Sequence, residues 1–507
     1  MSRGSTWRWI GLVLAACLIV PSAAKPQAAV VAIVGGTVID GNGGPPLADA
    51  VVVINGSRIS TVGPRASVQI PAGATIIDAK GRYVLPGFID TNVHLSLYGG
   101  VKDRYESLVR YNSRQNEIVL EAAQLQLKHG VTTVRDSYGM LVPLTQTRDA
   151  IARGEAIGAR ILAAGNIVGW GGPYSISFSL IPERDLTLFQ EQMNDAIAQG
   201  AGEDLGDMTP DELRVAINKY LDKGPDFLKY GGTSHFSQPT FIGFSLEAQK
   251  VLVEETHKRG RSAETHSTTI EGLRLSILAG IDAIQHPEVL TPKAMPDDIV
   301  RLIKERNIIC SMLVNTMTGE AWRKNLKTKE EAQKKLQEAE KKGSARAKTS
   351  AEERKQIADL GVALEVRRQN AQKLIQAGCL VTVGTDNYWG AAAELSREPK
   401  AENQDHGIGT IIGIEGLVEL GMTPAQAIVA ATKNGAIACR KLSDYGTLEA
   451  GKLADLLILE ADPLADIHNI RKLRSVMKEG RIIDLARLPE KRVLSRPPIN
   501  QSQMTER

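Results

Sequence analysis

Val84-Leu85-Pro86-Gly87-Phe88-Ile89-Asp90-Thr91-Asn92-Val93-His94 joins an apolar run, a Pro-Gly turn and a second apolar run. It ends on Asn92 and His94, two residues apart. On a strand, residues i and i+2 face the same side, so these two project together from the strand's C-terminal end. In a parallel α/β barrel that end is where chemistry is done. From Pro86 onward, short apolar strands alternate with longer amphipathic segments, the mark of repeated βα units. Strands are expected at Phe88–His94, Val131–Arg135, Arg160–Ala164, Phe227–Tyr230, Arg261–His266, Ala283–His286, Ile308–Ser311 and Leu380–Asp386. Eight strands with helical spacers predict an α/β fold of the (β/α)8 TIM-barrel class.

The flanks read differently. Val31-Ala32-Ile33-Val34, Ala50-Val51-Val52-Val53-Ile54, Ile59-Ser60-Thr61-Val62 and Thr75-Ile76-Ile77-Asp78 are short strands, and Asn55-Gly56 is a hairpin signal. Strand and turn patterns return at Gly446–Leu459 and Val476–Ile483. The simplest architecture is a small composite β domain, made by residues 25–85 and 441–507, beside a barrel at 86–440. Residues 322–370 interrupt the barrel with a segment dense in Lys, Glu, Gln and Ala, good helix formers of mixed charge. A solvated helical hairpin, dispensable for folding, is expected there. Because it follows strand 7, it leaves from the catalytic rim, where a cover over the site is the functional option.

At the N-terminus Arg3 and Arg8 precede the apolar run Ile10 to Val20, and Pro21-Ser22-Ala23-Ala24 follows. That order is a secretory signal over residues 1–24, so export to a periplasmic or extracellular space is expected. Leu14-Ala15-Ala16-Cys17 would instead be a lipoprotein box, with the mature chain anchored at Cys17; otherwise no membrane association is expected. The remaining Cys310, Cys379 and Cys439 are odd in number and lack CxxC spacing, so they form no disulfide framework. The 507 residues carry a formal net charge of only +3, and aromatics are 4%. No basic stripe with interleaved aromatics occurs, which excludes nucleic-acid binding.

Only eight histidines are present, and His94, His266 and His286 fall where expected barrel strands end. Lys229 closes strand 4 and Asp386 closes strand 8. Singly each has a bland reading: a lone His is usually a core or surface residue, a strand-end Asp a turn residue, a strand-end Lys a snorkelling cation. Together they share one rim, and imidazoles with a carboxylate suit a divalent first-row metal.

These residues resemble the amidohydrolase superfamily. Pro86-Gly87-Phe88-Ile89-Asp90-Thr91-Asn92-Val93-His94 is similar to its first-strand signature, Pro-Gly-x-Ile-Asp-x-His-x-His, with Asn92 in place of the first His. His266 and His286, 20 residues apart, with Ala279–His286, resemble its strands 5 and 6. Gly130–Asp136, Gly421–Ala427, Ala431–Asn434 and Ala450–Asp455 match the imidazolonepropionase-like and Xaa-Pro dipeptidase-like branch. The resemblance spans Val30 to Asp484 except the insert. It implies that Lys229 carries a carbamate formed with carbon dioxide, that His266 and His286 hold one metal, and that Asn92, His94 and Asp386 line a second position. The metal implied is a divalent ion, zinc first. Asn is a poor transition-metal ligand, so one tightly bound ion per chain is expected, with a weak second at most. Asn-x-His also resembles the variant in phenylurea hydrolases.

A second departure lies at Gly169-Trp170-Gly171-Gly172-Pro173-Tyr174, where related members often carry a His after the Gly pair. Tyr174 or His235 would then contact substrate in its place, unless Trp170 and Tyr174 merely pack the loop. Glu264, on the same strand face as His266, is placed to orient a ligand from behind. The implied reaction is hydrolysis of an amide-type C–N bond, with water activated by the metal. Asp386 is base and then acid. Dipeptides or N-acyl amino acids are the expected small-molecule substrates; aryl ureas, carbamates or anilides are the alternative, and a non-catalytic relative is the third option. A homo-oligomer is expected.

Overall fold

The computed structural model describes residues 30–98, 109–235, 240–342, 345–390 and 401–496. The signal expected at 1–24, including Cys17, lies outside the described residues. Five strands come first: β1 (Val30–Val38), β2 (Leu47–Asn55), β3 (Arg58–Pro64), β4 (Thr75–Asp78) and β5 (Tyr83–Pro86). Their Val- and Ile-rich runs suit a pleated, half-buried surface. The connection from β2 to β3 is two residues long, with Asn55 paired to Arg58. Gly56 there has φ 61°, the positive value that such tight hairpin turns require.

The barrel strands follow: β6 (Phe88–His94), β7 (Val131–Asp136), β8 (Arg160–Ala163), β9 (Ile167–Val168), β10 (Leu228–Gly231), β11 (Ala263–His266), β12 (Ala283–Gln285), β13 (Ile309–Met312), β14 (Leu380–Val383) and β15 (Asn387–Tyr388). Hydrogen bonds order them in two arcs, β15-β6-β7-β8 and β14-β13-β12-β11-β10-β9. One seam is bridged by the chain itself between β8 and β9. At the other, Thr91 Oγ1 lies 2.8 Å from Thr382 Oγ1 and donates to the Val383 carbonyl at 2.9 Å. The Asp386 N–H donates to the Asn92 carbonyl at 2.7 Å just beyond. The barrel class therefore holds, but side chains and post-strand backbone complete the ring where the ladder stops.

Every residue of β6 and β7 is buried, since helices cover parallel strands outside and side-chain layers fill the inside. That double burial produces the continuous apolar runs seen in the sequence. Strand ends shift by up to three residues from expectation. Strand 8 stops at Val383, and Asp386 beyond it takes φ 57°, outside the β region.

One interior layer is polar. Arg135 donates to Glu264 at 2.7 Å, Gln285 donates to Glu264 at 2.9 Å, and the guanidinium sits 3.7 Å over the Phe227 ring. Glu264 is thus spent on a buried ion pair one layer below the rim. Its hydrogen bonds go to Arg135 and Gln285 rather than to His266, which corrects the role expected for it.

Strands β16 (Leu456–Leu459), β17 (Leu473–Lys478) and β18 (Arg481–Ile482) end the fold. The flanking sheet runs β18-β17-β16-β5-β1-β2-β3, with β4 beside β1. Leu456 pairs with Pro86 and Leu459 with Tyr83 in the antiparallel β16/β5 contact. The two termini of the chain thus share one sheet, and β5 leads directly into β6.

The insert is two helices, Gly319–Lys342 and Ala345–Gln376, three residues longer at its start and six at its end than expected. Its last turns are not solvated: Arg367, Asn370, Ala371 and Leu374 are all buried. The expectation that 322–370 is wholly dispensable fails at this end, because the second helix runs on into the barrel wall. Cys310, Cys379 and Cys439 are buried free thiols.

Candidate active site

Five of the rim residues meet in one place. His94, Lys229, His266, His286 and Asp386 all line a cavity of about 320 Å³ at the C-terminal ends of the barrel strands. Each arrives for a local reason. His94 ends β6 and His266 ends β11, both on the inward face of their strands. His286 and Asp386 come one and three residues past β12 and β14, and both have φ 57°. Such values in non-glycine residues cluster at functional sites, where the surroundings over-determine them.

Asp386 is the hub. Its Oδ1 is 2.7 Å from His94 Nε2, 3.6 Å from His286 Nε2, and accepts from Asn92 Nδ2 at 3.1 Å. Burial works to raise its pKa, but the facing His286 and His94 outweigh it and hold the carboxyl well below the usual range. Burial pushes His286 down to about 3 and, with the facing His286 adding to it, holds His266 well below the usual imidazole range. Both imidazoles are therefore neutral at pH 7, the form that ligates metals. Burial also lowers the Lys229 ammonium, against the pull of Asp386, Glu264 and Asp136.

The donor chemistry fits a divalent cation. His94 Nδ1 lies 3.1 Å from the Tyr138 carbonyl, which assigns the proton to Nδ1 and leaves the Nε2 lone pair facing a carboxylate. Two acceptors at 2.7 Å need a proton or a cation between them. Among the described residues His266 Nε2 is buried with no hydrogen-bond partner, a costly state that a bound ion removes, and His286 turns its Nε2 toward Asp386 at 3.6 Å. Among the described residues no three His, Cys, Asp or Glu side chains form a ready-made ligating cluster. The fit rests on the donor set.

Asn92 does not present an oxygen to this set. Lys229 Nζ donates to Ser137 Oγ at 3.1 Å, and the Ser137 hydroxyl in turn donates to Asn92 Oδ1. A hydroxyl has one proton, so this chain fixes the carboxamide with its NH₂ group toward Asp386. An amide N–H is no metal ligand. In this orientation Asn92 braces the Asp386 carboxylate through its NH₂ group, which differs from the oxygen-first placement expected at a second metal position.

His235 also lines the cavity, its ring stacked on Phe178 at 4.4 Å and 12°. Tyr174 is buried, but the cavity lining includes its neighbour Pro173 instead. Its backbone N–H is held by Asn194 Oδ1 at 2.9 Å. Trp170 forms a wall, its indole N–H donating to the Thr233 carbonyl at 3.1 Å and its ring 4.8 Å from His266. Apart from Ser96, the remaining lining is aromatic or apolar, with Tyr98, Tyr138, Met140, Phe178, Met193 and Ile197 among it. Sequence reasoning missed this wall and Ser137. The signal was available for Ser137-Tyr138, which directly follow β7 and so stand on the same rim.

A model of the amidohydrolase family matches residues 83–483. Among solved structures, molinate hydrolase superposes with a TM-score of 0.81 at 31% identity, covering 94% of this chain and 99% of that one. Phenylurea hydrolase B gives 0.79 at 31% identity, over 93% and 100%. Ochratoxinase from Aspergillus niger is 24% identical over 432 residues, 82% of this chain and 78% of its own length.

Proposed function

This chain belongs to the amidohydrolase family, and from that premise we propose that it is a metal-dependent hydrolase of uncharged ureas, carbamates or anilides. Hydrolysis of an amide-type C–N bond in a small molecule is carried by the family and by the likeness to molinate hydrolase and phenylurea hydrolase B. The cavity narrows the class. Among the described residues its lining holds one cation, Lys229, at the metal-binding end, and no Arg. Among the described residues, a dipeptide or N-acyl amino acid carboxylate away from the metal end would meet only neutral donors such as Ser96, Tyr98, Tyr138 and His235 and no cation, at a higher cost than an uncharged group. An apolar urea or carbamate brings no such charge.

His266 and His286 would hold the metal, zinc in the first instance, with Lys229, His94 and Asp386 completing the donor set. A divalent ion there supplies Lewis acidity toward the substrate carbonyl and activates water near neutral pH. Lys229, favoured as a neutral amine by burial, can add its nitrogen to carbon dioxide and release a proton, giving a carbamate oxygen donor. Asp386, kept anionic by its histidines, accepts the proton of the attacking water and returns it to the leaving nitrogen. His94 keeps its ring orientation through the Tyr138 carbonyl. The aromatic wall excludes bulk water and seats the apolar ends of the substrate.

With zinc-loaded protein, kcat/KM for a phenylurea, carbamate or anilide panel should exceed that for N-acyl amino acids and Xaa-Pro dipeptides by about 100-fold or more, on the order of 2–3 kcal/mol. A dipeptide turned over faster than every neutral substrate would sink the reading.

We further propose export. The order of charged, apolar and small residues before Lys25 supports a cleaved signal. N-terminal sequencing of protein from its host should begin near Lys25. A chain starting at a lipidated Cys17 would place it on a membrane surface, and an intact Met1 would rule export out.

A further inference from the structure

The loop that carries His286 is held from outside the barrel ring. After β12 the chain turns sharply, with φ 57° at His286 and 52° at Val289. Conformations of this kind persist only where neighbours impose them. One such neighbour here is the base of the helical insert. Glu288, fully buried, accepts from Arg367 Nη2 at 2.8 Å, and the Arg367 side chain is itself only 9% exposed. One turn along the same helix, Asn370 Nδ2 donates to the carbonyls of Glu288 and Lys293, each at 3.0 Å, and Asn370 Oδ1 accepts from the Met295 N–H at 2.7 Å. One carboxamide thus ties three backbone groups of the loop, two residues from an imidazole of the site. Arg368 anchors the same turn to the other side, donating to the Met317 carbonyl at 2.7 Å and pairing with Glu419 at 2.9 Å.

We propose that Arg367 and Asn370, at the base of the insert, are positioning residues that set His286 for metal binding; this rests on the reading of His286 as a ligand. β12 ends at Gln285, and beyond it the backbone is held by the Ser311 carbonyl, which accepts from the His286 N–H at 3.2 Å, and by the Thr268 carbonyl, which accepts from Leu290 and Thr291. The clamp from the second insert helix adds the side-chain ties at Glu288, Lys293 and Met295. The insert is therefore two parts: a base that shapes the site and an outer stretch beyond the Lys329–Glu365 ion pair (2.9 Å) that does not.

Arg367→Met alone would strand a buried carboxylate and is a poor test. Arg367→Met/Glu288→Gln removes both charges, and Asn370→Ala removes the three-way tie. Zinc affinity is read by competition with a chromophoric chelator, and folding by circular dichroism and melting of the metal-free protein. Either folded variant should bind zinc about 10- to 100-fold more weakly, the range for partners that orient a ligand from behind. A chain with 333–360 replaced by a short Gly-Ser turn should bind zinc within about twofold of the unmodified protein, as its base is intact. Unchanged zinc affinity in a folded base variant, with only a lower melting temperature, would overturn the proposal. Equal loss in the shortened chain would overturn it too. His286→Ala is the control: if it keeps full zinc affinity, the ligand reading fails and the clamp with it, whereas loss there with no loss in the base variants removes the clamp alone.

Discussion

His266→Ala should give a folded chain that retains less than about a tenth of the metal held by the unmodified protein and loses about 10³-fold or more in kcat. The size follows from what a bound ion contributes, several kcal/mol of charge stabilisation in the transition state. His266 ends β11, in register between β10 and β12, and its Nε2 is buried in the cavity wall with no protein partner. The variant therefore breaks no hydrogen bond of the metal-free fold. It forfeits ring packing on Trp170 at 4.8 Å, so the metal-free variant should melt within a few degrees of the metal-free parent, a difference of about 1 kcal/mol. Elemental analysis after dialysis against chelator gives the first number, and turnover of a neutral substrate the second. A His266→Ala chain with parental metal content would remove His266 from the donor set and leave the site without its most isolated nitrogen explained.

How far the sequence could be read depended on whether a feature is local. Strand ends are local: a short apolar run that stops at His94, His266 or Asp386 states both the strand and the rim, and the structure brings these residues into one cavity. What side chains do to one another across the barrel is not local. Glu264 and His266 share a face by periodicity, yet one belongs to an interior layer with Arg135 and the other to the rim. Periodicity gives the face of a strand and not the depth along the barrel axis. The insert shows the same limit. Its composition averages over long helices, so the buried final turns with Arg367 and Asn370 are lost in a solvated signal, and their partners Glu288 and Met295 lie far back in the sequence. Tyr174 is a reasonable candidate by position, but its neighbour Pro173 meets the cavity instead, a one-residue difference in an irregular loop that no periodicity states. The orientation of a carboxamide is the extreme case. Nothing in Asn-x-His says which end of Asn92 faces the site; Ser137 and Lys229 decide it.

That orientation makes Asn92 the residue whose replacement separates two roles most cleanly. Because its Oδ1 is held by the Ser137 hydroxyl and its Nδ2 meets Asp386 at 3.1 Å, Asn92→Ala should leave metal content unchanged, at about one ion per chain. Its kcat should fall about 10- to 100-fold, the usual cost of losing a partner that orients a working group, while KM should stay within about threefold because the side chain does not line the substrate cavity. Asn92→Asp tests the same point with almost no change of shape. It keeps the acceptor for Ser137 but turns the N–H donor into a second carboxylate oxygen beside Asp386, and two carboxylates so close do not both ionise unless a cation joins them. The variant should therefore be slower than the parent at one metal per chain and take up a second ion when zinc is raised. Asn92→His should gain a second ion in the same way, since an imidazole nitrogen would replace the amide N–H. A ligand role for the Asn92 oxygen predicts the opposite for alanine: metal lost in step with activity. Two ions per parental chain, both surviving chelator and one lost in Asn92→Ala, would show that the carboxamide turns its oxygen to the metal and that the Ser137 bond is not what holds it.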